Sequence, residues 1–457
     1  MDDLRLNWST ASDAARSICD GAISSERLVE ECLARVSEVE ESVQAWQFLD
    51  PEHALQQARA RDQARREGQS IGPLHGVPVG IKDIIDTGDM PTEDGTVLHA
   101  GRTPAADAAV VAMLRAAGAV IMGKTVTTEC ATHTPGKTRN PHHPEHTPGG
   151  SSSGSAAAVA AGMVPLALGS QTNGSVIRPA AFCGVYGFKP THGLISRHGV
   201  LKLSRTLDQM GLFARSLEDI ALGCEILVSG DERDPATRPR ARIPFREIAA
   251  EEPPLPPLIA FIKTPLWERT DVDTREAFAE LIEALGDRVV EVELPEIALD
   301  ALKLHQTIME AEMAAALVDE YERGREQLSE TLRAQLERGR AITAFDYQTA
   351  LARIPLLIEG FDELFNRCDV VLTPAVAGTA PKGLASTGDP SFCTLWTLCG
   401  MPAISLPLMR GANGLPLGVQ LVGQSHRDAR LLRTARWLAA KVGSAEAYDV
   451  KEATNGI

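Results

Sequence analysis

The chain has 457 residues, 44% of them hydrophobic and 23% charged, a composition that excludes disordered, fibrous and membrane-embedded classes. Its formal net charge of −16 argues against nucleic acid as a partner, because that binding rests on clustered Lys and Arg neutralising phosphates. No run approaches the roughly eighteen uninterrupted apolar residues of a membrane span, and the acidic, polar start Met1–Ser9 lacks the basic-then-apolar pattern of a signal peptide, so neither membrane nor export is expected and the chain is read as cytoplasmic.

Residues 1–65 read as helices, with Ser25 capping a run whose apolar positions Leu28, Val29, Cys32, Leu33 and Val36 recur at helical spacing. From Gly76 onward short apolar runs alternate with helical segments. The runs are 77–81, 119–122, 164–168, 258–261, 289–292, 370–372, 403–406 and 419–422, and Ala105–Ala117 and Ala429–Ala440 are among the helices. Such runs suit strands buried on both faces, and the alternation predicts one α/β/α sandwich in which a large mixed β-sheet is covered by helices on both faces. The stretch 231–257 holds seven prolines and is predicted as a surface loop within a single domain spanning 1–457, whose core lies at about 70–225. A helical region at 302–364 is expected to cover one edge and to help wall a channel. The eight cysteines, at 19, 32, 130, 183, 224, 368, 393 and 399, contain no C-x-x-C pair and read as free thiols, with neither a zinc site nor a disulfide framework expected.

The chemistry concentrates in a small-residue tract, Pro148-Gly149-Gly150-Ser151-Ser152-Ser153-Gly154-Ser155, where backbone N–H groups can approach a ligand closely. A phosphate cradle would need a Gly-Lys-[Ser/Thr] ending, which is absent. A nucleophile elbow centred on Ser152 fits G-x-S-x-G, but the motif needs a preceding strand, and 142–148 carries two prolines. A third reading joins the tract to two other segments, Gly76-Val77-Pro78-Val79-Gly80-Ile81-Lys82-Asp83 upstream and Gly169-Ser170-Gln171-Thr172-Asn173-Gly174-Ser175 downstream, with Lys82 sixty-nine residues before Ser151 and Ser151 twenty-four before Ser175. Together these motifs resemble the amidase signature family. Similarity extends through Gly187–Thr191, Leu207-Asp208 and Leu415–Gly423.

The resemblance implies hydrolysis of a C–N acyl bond of a small amide, whether aliphatic, aryl or carbamate-like. Ser175 is then the nucleophile, Ser151 a proton relay on a cis peptide bond and Lys82 the base, while the backbone N–H groups of Thr172, Asn173, Gly174 and Ser175 form the oxyanion hole. No cofactor and no metal is implied. The partner is the amide-like substrate, with a homodimer as the candidate assembly. An amidotransferase A-type subunit working with partner proteins, and a carbamate or ester hydrolase on the same triad, are the alternatives. The chemistry is coherent, because a serine hydroxyl must shed its proton as it attacks. Lysine at its ordinary pKa is neutral only about once in 2,500 molecules at pH 7, and the apolar run around Val77, Val79 and Ile81 is expected to bury Lys82 and favour the free amine.

Two departures stand out. The family often reads Asp-Thr-Gly-Gly-Ser where this chain has Gln171-Thr172-Asn173-Gly174-Ser175, which makes Gln171 and the side chain of Asn173 candidate substrate contacts. Asn173 is expected to accept whatever positive φ the turn requires. Arg178 stands three residues after the nucleophile, a version that malonamidase-like relatives use for a substrate carboxylate; tying loop carbonyls together is the other reading. His142-His143-Pro144-Glu145-His146 spells a zinc pattern, but Pro144 would break the helical turn it needs. Lys124 is expected to be structural, and Trp396, Phe392 and residues 203–210 are candidates for an acyl pocket, with core packing as the competing role of the aromatics.

Overall fold

The computed structural model describes residues 5–442 apart from position 295. Among the described residues eleven strands form one mixed sheet: β1 (Trp46–Leu49), β2 (Pro78–Lys82), β3 (Val120–Thr125), β4 (Leu166–Gln171), β5 (Tyr186–Lys189), β6 (Gln209–Ala214), β7 (Ile259–Phe261), β8 (Val289–Glu291), β9 (Val370–Pro374), β10 (Ala403–Arg410) and β11 (Pro416–Val422). Their spatial order is β1-β3-β2-β4-β6-β5-β10-β11-β9-β7-β8. β2 lies parallel to both β3 and β4, and β7 parallel to β8 and β9, while the centre from β4 through β6, β5, β10 and β11 to β9 is antiparallel.

Every residue of β2, β3, β4 and β9 is buried, as continuous apolar runs under helices on both faces require. The mixed sheet between helix layers is the architecture expected from the alternation. Three strands carry no such signal. β1 sits inside the stretch read as helical, where the four residues Trp46–Leu49 pair antiparallel with β3 at the sheet edge. β5 and β6 contain Gly187 and Gly211 and polar ends, which dilute the apolar pattern, yet each lies in the sheet centre.

The proline-rich excursion also holds more order than a surface loop. Phe245–Ala250 is a helix whose Phe245 is fully buried, so one aromatic anchors the segment. The long helical region is broken into Ala301–Ala316, Val318–Gly324, Glu330–Ala341 and Ala344–Phe365. All eight cysteines are free, and all but Cys19 are buried. Among the described residues no helix is long and apolar enough to cross a membrane, and no cluster of three His, Cys, Asp or Glu could hold a metal ion.

Candidate active site

Lys82 is the last residue of β2, and Ser170 and Gln171 end the neighbouring parallel strand β4. The sheet therefore delivers these side chains to the carboxyl ends of parallel strands, where open α/β sheets commonly bind ligands. Lys82 is fully buried, and its Nζ lies 2.7 Å from Oγ of Ser151 and 2.9 Å from Oγ of Ser170. It forms no ion pair among the described residues. Burial pulls its ammonium down to about 7 from the usual 10.5, with the charge of Asp208 opposing part of that fall.

Ser151 arrives on the small-residue loop that feeds the helix Ser153–Ala160, and its peptide bond to Gly150 is cis. The loop after β4 carries Thr172, Asn173, Gly174 and Ser175 into the helix Ile177–Cys183. Ser175 is 8% exposed, and its hydroxyl takes no hydrogen-bond partner among the described residues. Lys82 and Ser151 are thus brought together directly, whereas Ser175 is not bonded to Ser151 in this state.

Gln171 is placed differently from the sequence expectation. Its side chain is buried and both ends of the amide are used internally: Oε1 accepts from the N–H groups of Val176 (2.7 Å) and Ile177 (3.0 Å), and Nε2 donates to Thr397 Oγ1 (2.9 Å). It holds the loop and presents no amide group to a ligand. Arg178 is likewise buried, donating from Nη1 to the carbonyl of Gly388 and from Nη2 to that of Gly150, both at 2.7 Å, while its Nε has no partner among the described residues. Burial lowers its guanidinium to about 10, which leaves it cationic near neutral pH. The loop-tying geometry is the one observed. Neither Asn173 nor Gly174 takes a positive φ, so the turn makes no demand for a left-handed residue; a Cβ on Gly174 would instead lie 3.1 Å from Pro390, and close approach is what the glycine serves.

Several site groups were given no role by the sequence, although Ser170 and Asp208 stand within the signature-like motifs. Ser170 is the second hydroxyl on Lys82. Asp208 accepts from Thr172 Oγ1 (2.7 Å) and from the N–H groups of Leu203 (2.9 Å) and Ser204 (2.8 Å); burial raises its carboxyl while these bonds counter the rise. His305, from the helix Ala301–Ala316, donates from Nε2 to the carbonyl of Thr172 at 2.9 Å. A cavity of about 270 Å³ reaches the site, lined by Ser170, Thr172, Asp208 and Met210 among others, so the 203–210 stretch does face a pocket. Trp396 and Phe392 do not line it; both are buried, Trp396 against Phe361 with ring centroids 5.2 Å apart.

The decoys have structural roles. Ser152 Oγ bonds the backbone of Ser170, 3.2 Å from both its N and its O. His142 and His146 bond the carbonyls of Cys183 and Ala380 within a run of turns. Lys124 donates to the carbonyl of Ile85 at 2.7 Å and pairs with Asp83 at 3.6 Å.

Comparison with known proteins identifies the family. A family profile described as Amidase matches residues 27–432. The A subunit of glutamyl-tRNA(Gln) amidotransferase from Chloroflexus aggregans is 34% identical over 94% of this chain and 95% of its own length. Among solved structures, 6-aminohexanoate cyclic dimer hydrolase superposes with a TM-score of 0.86 at 27% identity, covering 96% of this chain and 98% of that one. The peptide amidase of Stenotrophomonas maltophilia does so with a TM-score of 0.83 at 29% identity, covering 95% and 97%. Since the match runs along nearly the whole length, and the sheet brings Lys82 and Ser151 together as the motifs imply, the chain belongs to the amidase signature family.

Proposed function

We propose that this protein is an amidase that cleaves the C–N bond of a small amide through a seryl acyl-enzyme. The observation that carries the reading is Lys82: a fully buried amine held by two hydroxyls and no carboxylate. As a neutral amine it accepts a proton from Ser151 Oγ, which in turn takes one from Ser175 Oγ as that oxygen attacks the carbonyl carbon. This reading requires a Ser151–Ser175 hydrogen bond to form when substrate binds, as catalytic hydrogen bonds are often long or unmade in the free enzyme. The N–H groups of Thr172, Asn173, Gly174 and Ser175 stabilise the oxyanion. The proton then passes by the same route to the departing nitrogen, and water releases the acid by a second attack. Aliphatic amides, aryl amides and carbamate-like groups all present the required carbonyl. Gln171 and Arg178 act in this reading as loop tethers.

The curated relatives favour a second reading, an amidotransferase A-type subunit that hands ammonia to a partner. One experiment separates the two and tests the first. The purified chain is treated with a fluorophosphonate, the adduct is mapped by mass spectrometry, and aliphatic amides, anilides, malonamate and carbamates are screened for turnover. We expect an adduct on Ser175, absent from Ser175→Ala, and turnover of at least one amide by the chain alone. An adduct on Ser152 would overturn the assignment, and labelling of Ser175 without turnover of any amide would favour the amidotransferase.

A further inference from the structure

The loop Thr172–Ser175 is gripped from outside by side chains that the proposed reaction leaves untouched. The carbonyl of Thr172 accepts from His305 Nε2 at 2.9 Å, and the carbonyl of Asn173 accepts from Thr397 Oγ1 at 2.6 Å. Thr397 itself accepts from Gln171 Nε2 at 2.9 Å, so its hydroxyl proton is committed to Asn173. Both groups are buried, His305 on the helix Ala301–Ala316 and Thr397 on the helix Ser391–Leu398. Burial also lowers the His305 imidazole to about 4, which keeps it neutral, with Nε2 carrying the proton because a carbonyl can only accept.

A trans peptide unit points its C=O and its N–H in opposite directions. Fixing the carbonyl of Thr172 on His305 therefore turns the N–H of Asn173 away from that helix, and fixing the carbonyl of Asn173 on Thr397 does the same for the N–H of Gly174. A donor on the carbonyl also polarises the N–H of the same unit. We infer that His305 and Thr397 are positioning residues that aim the N–H groups of Asn173 and Gly174 at the developing oxyanion, an inference that rests on the amidase reading above. The two helices that supply them lie far along the chain from the motif they serve.

The test compares variants that remove the donor with variants that keep one: His305→Leu against His305→Gln, and Thr397→Val against Thr397→Ser. For an amide the wild type turns over, each removal is expected to lower kcat about 10- to 100-fold, short of the loss of a full oxyanion donor, with KM within about threefold because the contact matters in the transition state. A trifluoromethyl ketone, which adds to the serine as a tetrahedral oxyanion, should lose affinity by a matching factor. The donor-keeping variants should recover most of both. Equal impairment in the paired variants, or a fall in kcat with unchanged affinity for the ketone, overturns the inference and leaves the amidase reading standing. A wild type that turns over no amide overturns both.

Discussion

Lys82 and Lys189 are both fully buried, and burial pulls each ammonium group down to about 7, yet their partners differ in kind. Lys189 donates to Oε1 of Gln209 at 2.7 Å and to the carbonyl of Met401. Those oxygens can only accept, so Lys189 can serve them only as a donor, and it ties β5 to β6 and to the turn before β10. Lys82 instead meets two hydroxyls, which donate as readily as they accept. A neutral amine there can take a proton from Ser151, and a protonated one can return it. Lys124 is a third case, buried beside the carboxylate of Asp83. In the proposed reaction burial alone would not make Lys82 a base; the hydroxyls beside it would.

Charge-preserving substitution is the strongest way to break that contrast. Lys82→Arg keeps a cation but offers no neutral proton acceptor, and kcat/KM is expected to fall by at least about 10³, near the upper range for general-base loss, with circular dichroism unchanged. Lys189→Met orphans two buried acceptors and should destabilise the fold by about 1–3 kcal/mol in urea unfolding, while kcat of the folded fraction stays within about threefold of wild type. Equal catalytic loss in the two variants would erase the distinction.

Finer tests sharpen it. Ser170→Ala leaves Lys82 with one hydroxyl, and kcat is expected to drop about tenfold, the upper range for one ordinary hydrogen bond, with Ser170→Thr restoring most of it. Asp208 is the charge that favours the ammonium form of Lys82. Its removal in Asp208→Asn should move the acidic limb of the kcat/KM profile to lower pH, by less than about one unit for a partner not in direct contact. A limb that moves to higher pH would show that Asp208 acts on another group.

The motif residues are legible because loop chemistry is local: a lysine ending an apolar strand and two clusters of glycine and serine name themselves by composition. The groups that hold those loops are not. His305 and Thr397 lie 133 and 224 residues from the carbonyls they bind, and no short-range pattern links them to the loop. Gln171 reads in sequence as a substrate contact because its position departs from the family, whereas the fold uses both ends of its amide to brace the helix start. Strand existence is readable where apolar runs are continuous. It fails at β1, β5 and β6, where short or glycine-interrupted segments are stabilised by neighbours the sequence does not announce.

The most direct test is the rate of Ser175 phosphonylation by a fluorophosphonate between pH 5 and 9. If Lys82 is the base, the rate in the wild type falls tenfold per unit below about pH 7, as the amine gains its proton, and Lys82→Ala is slow at every pH. A rate that is flat across this range, or a limb that survives in Lys82→Ala, would contradict the account.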